Sequence, residues 1–446
     1  MGLFDWVRGL LGFGNPAPNP VESPVETKNA PLPTPASGVA SPPSGPASSR
    51  RDRGVTRSRE FRRSRSAIQL RTLRFQLRPR SDLRTTVQDR AHYRFARPSV
   101  EGGFLDLTQS GDTGNLEQLS LPVFRTPEEI AGWLQIPLGQ LAWLVHRFDE
   151  DQKAGDEKTS HYWYRLIPKR SGGQRLIEAP KAKLKRAQWQ ILDGILSKVP
   201  AHRAAHGFVA SRSILTNATP HVGQRVIVKL DLENFYPSVT FNRVVAIFRS
   251  LGYCREAAIW LGRLTTTTLP RRISPELSRC ADLNDYRGRR LPQGAPTSPA
   301  LANLSAFALD LRLSGLARSF HANYSRYADD ITFSGDDRFL RSLAVFIPLV
   351  KTILKSERFR ANRRKWRVIR NNQRQTVTGV VVNARPNVTR RNYDRLKAIL
   401  TNCIRRGAST QNHSQHKQFA AHLLGRIAQV SHLNAERGQK LYALYS

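Results

Sequence analysis

Apolar residues follow helix and strand spacings from about Leu119 to the C-terminus and are sparse before it. Thr126-Pro127-Glu128-Glu129 supplies an N-cap, a proline at the first helical position and a capping-box glutamate. Ile130, Leu134, Leu141 and Leu144 follow, so a helical lead-in is predicted. The run Tyr162 to Lys169, the Ser171-Gly172-Gly173 break and the run Gln174 to Pro180 predict a β-hairpin with a Gly-Gly turn. A basic amphipathic helix comes next, with Leu184, Trp189, Ile191 and Leu192 as its apolar positions. Val226-Ile227-Val228-Lys229-Leu230 predicts an apolar strand ending in Asp231, after which Phe235-Tyr236 leads to a helix started by Ser238.

Further on, the Gly and Pro residues of Leu291 to Pro299 enforce a shaped loop. Ser298 and Pro299 then open a helix through Leu301, Leu304, Ala308 and Leu311. Tyr324 to Gly335 reads as strand, tight connection, strand, with the carboxylates of Asp329 and Asp330 at the tip. After Gly379, Val380 to Asn383 completes another hairpin. Thr389 starts a basic helix with Leu396, Ile399, Leu400, Cys403 and Ile404 on one face, and Leu423, Ile427 and Val430 mark a second helix.

Composition changes the picture of the first quarter. Residues 15–49 are dominated by Pro, Ser, Ala and Gly, which bury too little apolar surface to offset chain entropy, and read as a linker. Ahead of it, Leu3, Phe4, Val7, Leu10 and Leu11 form a short amphipathic pattern, a docking segment for a partner or membrane surface or else an unstructured end. Arginine clusters from Arg50 to Arg97, interleaved with Phe61, Phe75, Tyr93 and Phe95, read as a solvated arm or as one that tracks phosphates and offers stacking surfaces. The 446 residues carry 71 Lys and Arg against 34 Asp and Glu, a formal charge of +37 that calls for an anionic partner, nucleic acid before membrane. Three scattered cysteines argue against a disulfide framework or zinc site and fit a reduced cytoplasm; no run approaches a membrane span.

Taken singly, the candidate site residues have ordinary explanations. Asp329-Asp330 suits a turn, Asp231 an edge of a sheet in water, and Lys169 and Arg175 a solvated hairpin, although the last two flank one turn and can reach a common anion.

Together they form a pattern. Asp231, the loop Gln293-Gly294-Ala295-Pro296-Thr297-Ser298-Pro299 and Tyr327-Ala328-Asp329-Asp330, in that order and spacing, resemble the central motifs of reverse transcriptases. The hairpin bearing Lys169 and Arg175 resembles the fingers motif that precedes them. Asn217-Ala218-Thr219-Pro220-His221 and Val377-Thr378-Gly379 resemble elements of bacterial retron reverse transcriptases.

The resemblance implies an α+β right-hand polymerase with a disordered basic N-terminal arm. Its parts are a short amphipathic segment and linker (1–49), the Arg-rich arm (50–118), N-terminal helices and fingers (119–225), palm (226–383) and helical thumb (384–446). It implies two magnesium ions on Asp231, Asp329 and Asp330, with the Leu232 carbonyl as an added ligand, and Tyr236 as a gate against a 2′-hydroxyl. Lys169 and Arg175 would grip the triphosphate of a deoxynucleotide, Gln293 and Gly294 would lie against the nucleotide, and Lys365 would protonate pyrophosphate. Asn217, His221, Val377, Thr378 and Gly379 would serve RNA recognition. The implied activity copies a cognate structured noncoding RNA into branched single-stranded DNA from a guanosine 2′-hydroxyl, in antiphage defence, with an effector protein as a candidate partner. The rivals are a group II intron or diversity-generating reverse transcriptase, and a non-catalytic RNA-binding relative.

Overall fold

The computed structural model describes residues 87–88 and 104–446, apart from 147–152, 170–171, 275–276, 278–282 and 287. The amphipathic segment, the linker and the arginine clusters expected from the sequence lie outside the described residues. Regular structure starts earlier than the expected Leu119. Helix α1 (Thr113–Gln118) is capped by Asp112, whose carboxylate accepts from the Asn115 amide at 3.1 Å, and it buries Leu116.

Helix α2 (Pro127–Leu134) has the Thr126 cap and first-turn proline that its sequence predicts, and α3 (Leu138–Leu144) follows. Strands β1 (Tyr162–Pro168) and β2 (Gln174–Pro180) pair antiparallel, and Gly172 and Gly173 both take positive φ in the turn. Helix α4 (Ala182–Gly194) buries Leu184, Ala187 and Ile191, and α5 (Ile214–Ala218) leads through a 3-10 turn ending at His221 into β3 (Val226–Asp231). Helix α6 (Phe241–Leu251) begins after Thr240, three residues later than the expected start. Ser238 instead closes a turn by donating its hydroxyl to the Phe235 carbonyl at 2.7 Å.

The chain continues through α7 (Arg255–Thr265), α8 (Ser298–Ser305) and α9 (Phe307–Ser319) to the hairpin of β4 (Asn323–Tyr327) and β5 (Asp330–Gly335). Helix α10 (Asp337–Ser356), strand β6 (Arg367–Arg370) and the small hairpin of β7 (Thr376–Val377) and β8 (Val380–Val381) follow. The last helices are α11 (Arg390–Arg406), α12 (Phe419–Leu433) and α13 (Ala435–Tyr442). Leu396, Leu400, Leu423, Ile427, Val430 and Leu441 form their shared core; Ile404, assigned to the same apolar face by its spacing, is 65% exposed. No helix among the described residues is long and apolar enough to cross a membrane.

The central sheet runs β4-β5-β3-β6, all antiparallel. Alternation sorts its residues by face. One face carries Val226, Val228 and Leu230 with Ile331 and Phe333, and Phe333 packs on Phe346 of α10 at 4.9 Å between ring centroids. Each such fully buried side chain contributes about 1.5–3 kcal/mol, so this face anchors the sheet. The other face carries Ile227, Lys229 and Asp231 beside Ser334, Thr332 and Asp330, and Ser325 extends it on β4. At one end it is covered by a cluster of Ala218, Ile227, Val377, Val380, Val382 and Leu433. The charged end holds the acids.

Candidate active site

Three carboxylates meet where β3 ends and the β4–β5 hairpin turns. Asp231 and Asp330 are direct cross-strand partners, and the Leu232 amide donates to the Asp329 carbonyl at 2.9 Å. A two-residue turn, Ala328 and Asp329, joins the strands, with Ala328 at φ +54°. Burial, together with the charges of Asp231 and Asp330, pushes the Asp329 carboxyl up to about 7. Asp330 is raised as well, by burial first, while Lys229 pulls it down. Lys365 lies here too, its Nζ 2.9 Å from Asp231 Oδ1. The Tyr236 hydroxyl is raised by burial and by the Asp329 carboxylate beside it.

The hairpin tip is braced by residues that its motif does not include. Arg326, fully buried, donates through Nε and Nη2 to the two Asp310 carboxylate oxygens at 2.8 and 2.6 Å. Its Nη1 donates to Asn303 Oδ1 and to the Ala328 carbonyl, both at 3.0 Å, so the turn hangs on a guanidinium held by α9. Asn303 in turn donates to the Gly207 carbonyl at 2.9 Å. A Cβ at position 207 would stand 2.6 Å from the Ala328 amide nitrogen, so only glycine lets this loop approach the tip. Sequence reading passed over these residues. The available signal was Asp310, a lone carboxylate between Leu309 and Leu311 in an apolar helix.

Lys169 and Arg175 flank the fingers turn on opposite strands, both half-buried, and the Lys169 amide donates to the Gly173 carbonyl at 2.9 Å. The base of that hairpin is tied to the Gln293-Gly294 loop: the Glu178 amide donates to the Gln293 carbonyl at 2.8 Å, and Glu178 and Arg290 form a fully buried pair at 2.8 Å. Gly294 has φ +134° and a Cβ there would meet the Glu178 carbonyl oxygen at 3.1 Å, so both conformation and close approach require glycine.

Among the described residues, no three His, Cys, Asp or Glu side chains are already gathered into a metal-holding group, and Lys365 engages Asp231. The donor set still fits hard divalent cations. A buried carboxyl raised further by two neighbouring carboxylates is the arrangement such a cation relieves.

Residues 167–382 match the family profile described as reverse transcriptase (RNA-dependent DNA polymerase). The chain is 42% identical over 331 residues to the retron Mx65 reverse transcriptase of Myxococcus xanthus, covering 74% of this chain and 73% of that protein. It is 42% identical over 266 residues to the retron Mx162 enzyme of the same organism, 58% of this chain and 53% of that one. Against the retron Ec86 reverse transcriptase of Escherichia coli it is 32% identical over 292 residues, 64% of this chain and 81% of that protein. This chain belongs to the retron reverse transcriptases.

Retron reverse transcriptases are RNA-directed DNA polymerases with the right-hand fold, a class that binds nucleic-acid templates and works with divalent metal ions. In this retron enzyme the stretches Asn217 to His221 and Val377 to Gly379 lie against each other. His221 bridges both strands of the β4–β5 hairpin, Nδ1 to Ser334 Oγ and Nε2 to Ser325 Oγ, each at 2.7 Å, and burial pushes its imidazole down to about 3. The Ser325 hydroxyl donates to the Asn217 carbonyl at 3.3 Å, and Asn217 Nδ2 donates to Thr378 Oγ1 at 3.4 Å. Thr378, a β-branched residue at φ +47°, donates to the Ile214 carbonyl at 3.3 Å, contacts that hold an otherwise strained turn. Asn217, His221 and Val377 therefore face inward, and Thr378 and Gly379 are the members of the set that reach the surface.

Proposed function

We propose that this protein is a retron enzyme that copies part of a cognate structured noncoding RNA into DNA, using a guanosine 2′-hydroxyl of that RNA as primer, and acts in antiphage defence with an effector protein. The observation that carries the catalytic part is the convergence of Asp231, Asp329 and Asp330 at one end of the sheet, beside Tyr236, in a chain of this family.

In this reading the priming hydroxyl oxygen attacks the α-phosphorus of a deoxynucleoside triphosphate, the bond to the bridging oxygen breaks, pyrophosphate leaves and the hydroxyl proton passes to water. Asp231, Asp329 and Asp330 would hold two magnesium ions, which when bound lower the charge of the attacking and leaving oxygens. Tyr236, held beside Asp329, excludes a 2′-hydroxyl on the incoming nucleotide. Arg175 offers the triphosphate a planar fork and Lys169 a point charge, with Gln293 and Gly294 against the nucleotide. Lys365, 2.9 Å from Asp231, donates a proton to the departing pyrophosphate. The basic helix α11, with arginines in its first and last turns, supplies a surface suited to the shape and phosphates of folded RNA.

Nucleic acid co-purifying with the full chain tests this reading. It should contain short DNA whose 5′ end stays joined to RNA through a 2′,5′ bond that debranching enzyme cuts. Recovery of ordinary linear cDNA alone would remove the retron reaction and leave a conventional polymerase.

A further inference from the structure

On the charged face of the sheet, a cavity of about 260 Å³ opens beside Asp231 and Asp330 and extends past Lys229, Arg367 and Ile369 to Thr376. Lys229 precedes Asp231 by two residues and shares its face. Across the ladder it stands directly opposite Thr332 on β5 and directly opposite Arg367 on β6. Like charges in direct cross-strand register destabilise a sheet. Neither Lys229 nor Arg367 is in a salt bridge with a carboxylate among the described residues, although Lys365 in the same cavity is. Lys229 acts on Asp330 through space, but two cations held against each other on the floor of a cavity, neither bonded to a carboxylate, are an arrangement that a further anion would complete.

The chemistry of the proposed reaction supplies such an anion. A primer that ends in a 3′-hydroxyl carries nothing beyond its attacking oxygen. A ribose that attacks through its 2′-hydroxyl keeps its own 3′-phosphodiester, an added negative charge next to three carboxylates. That charge calls for cations other than Lys169 and Arg175, which the triphosphate engages. We propose that Lys229 and Arg367 form a phosphate subsite that receives the 3′-phosphodiester adjoining the priming ribose. The inference rests on 2′-hydroxyl priming and adds to it the residues that distinguish a branching primer from a linear one.

The test uses the full chain and two synthetic RNA duplexes that differ only at a recessed guanosine end, one a 3′-hydroxyl, the other a 3′-methyl phosphate diester. Binding is measured without nucleotide at fixed salt. The unmodified protein should bind the phosphodiester end about tenfold more tightly, the scale of a charge-assisted hydrogen-bond pair. Lys229→Gln with Arg367→Gln should erase that preference, and Lys229→Arg should keep it. With nucleotide present, the double variant should extend the phosphodiester-blocked primer at least about tenfold less well relative to the hydroxyl primer, since only its 2′-hydroxyl is free. Equal binding of the two ends by the unmodified protein, a preference that survives in the double variant, or equal weakening of both ends would overturn the subsite. Thermal melting of the double variant guards against misfolding, because removing two facing cations should leave the midpoint unchanged or higher. The binding preference is read whether or not branched product forms in cells, so its failure and the failure of 2′-priming are separate results.

Discussion

Two β-hairpins carry part of the charge of the candidate site, and they are built in opposite ways. The palm hairpin, β4–β5, is pinned on both faces: Arg326 and Asp310 hold one side, His221 bridges Ser325 and Ser334 on the other. The fingers hairpin, β1–β2, is fixed at its base, through Glu178, Arg290 and the Gln293 carbonyl, and packs Leu176 with Leu277 and Tyr286. Its turn residues Gly172 and Gly173 are exposed, and Trp163 is 65% exposed under the Lys181 ammonium at 4.7 Å. The contrast follows from the charges. In the proposed reaction the carboxylates would share two cations and so must stand at fixed positions beforehand, and crowding them costs energy that the surrounding fold has to absorb. Long cationic side chains proposed to meet a flexible triphosphate could adjust to it, so the scaffold beneath them need only be anchored.

The sharpest break in that contrast comes at the carboxylates. Asp329→Asn should lower magnesium-dependent DNA synthesis on a primed template by about a thousandfold or more while leaving the protein folded. Its melting midpoint without metal should hold or rise, because the substitution removes a charge that Asp231 and Asp330 oppose. Activity near that of the unmodified enzyme would take Asp329 out of the site.

Next in size is the brace. Arg326→Met leaves the buried Asp310 charge without its cation and with the Tyr324 hydroxyl as its remaining side-chain donor, and breaking a buried pair of this kind costs about 3–5 kcal/mol. Chemical denaturation should report a loss of that order, and the paired change Arg326→Met with Asp310→Leu should recover much of it. A loss below about 1 kcal/mol for the single change would mean that the hairpin tip does not depend on the guanidinium.

Much of this was legible beforehand. The fingers hairpin, the strand ending in Asp231 and the two-residue tip follow from alternation and from Gly and Asp at turns, which are local signals. Arg326 was not legible as a brace, because its partners sit 16 and 23 residues away on helices and no spacing rule joins them. The start of α6 was misread for a local reason: Ser238 has the side chain of a helix cap but donates backward to Phe235, leaving Thr240 to open the helix. Ile404 fits a helical stripe yet faces outward, since periodicity gives the width of an apolar face but not where the neighbouring helix stops covering it. Asn217 and His221 looked like a recognition motif, and their burial came from contacts that only the fold creates.

His221 offers a smaller, pH-dependent test of the pinning. Its folded-state value of about 3 lies below the ordinary 6.5, so the unfolded chain takes up the proton first. Stability from the neutral imidazole is complete above about pH 6.5 and declines as the pH falls toward 3, by about 2 kcal/mol at pH 5. His221→Gln, which cannot titrate, should melt lower than the unmodified protein at pH 7.5 and show a shallower fall between pH 7.5 and 5. Parallel falls in the two proteins would show that other groups set the acid sensitivity.

The smallest expected effect lies on the fingers. Lys169→Ala removes one point charge from a half-buried position that no core residue depends on, so melting should be unaffected. The Michaelis constant for a deoxynucleotide should rise about tenfold with turnover nearly unchanged, the signature of a contact made equally in the ground and transition states. Arg175→Lys should do much the same, because an ammonium replaces the fork without restoring its geometry. If turnover fell instead while the Michaelis constant held, Lys169 would be meeting charge that develops only as pyrophosphate departs. The fingers turn would then need the fixed placement seen in the palm, and the difference between the two hairpins would lie in which structure supplies it: the protein for the carboxylates, the bound nucleotide for the cations.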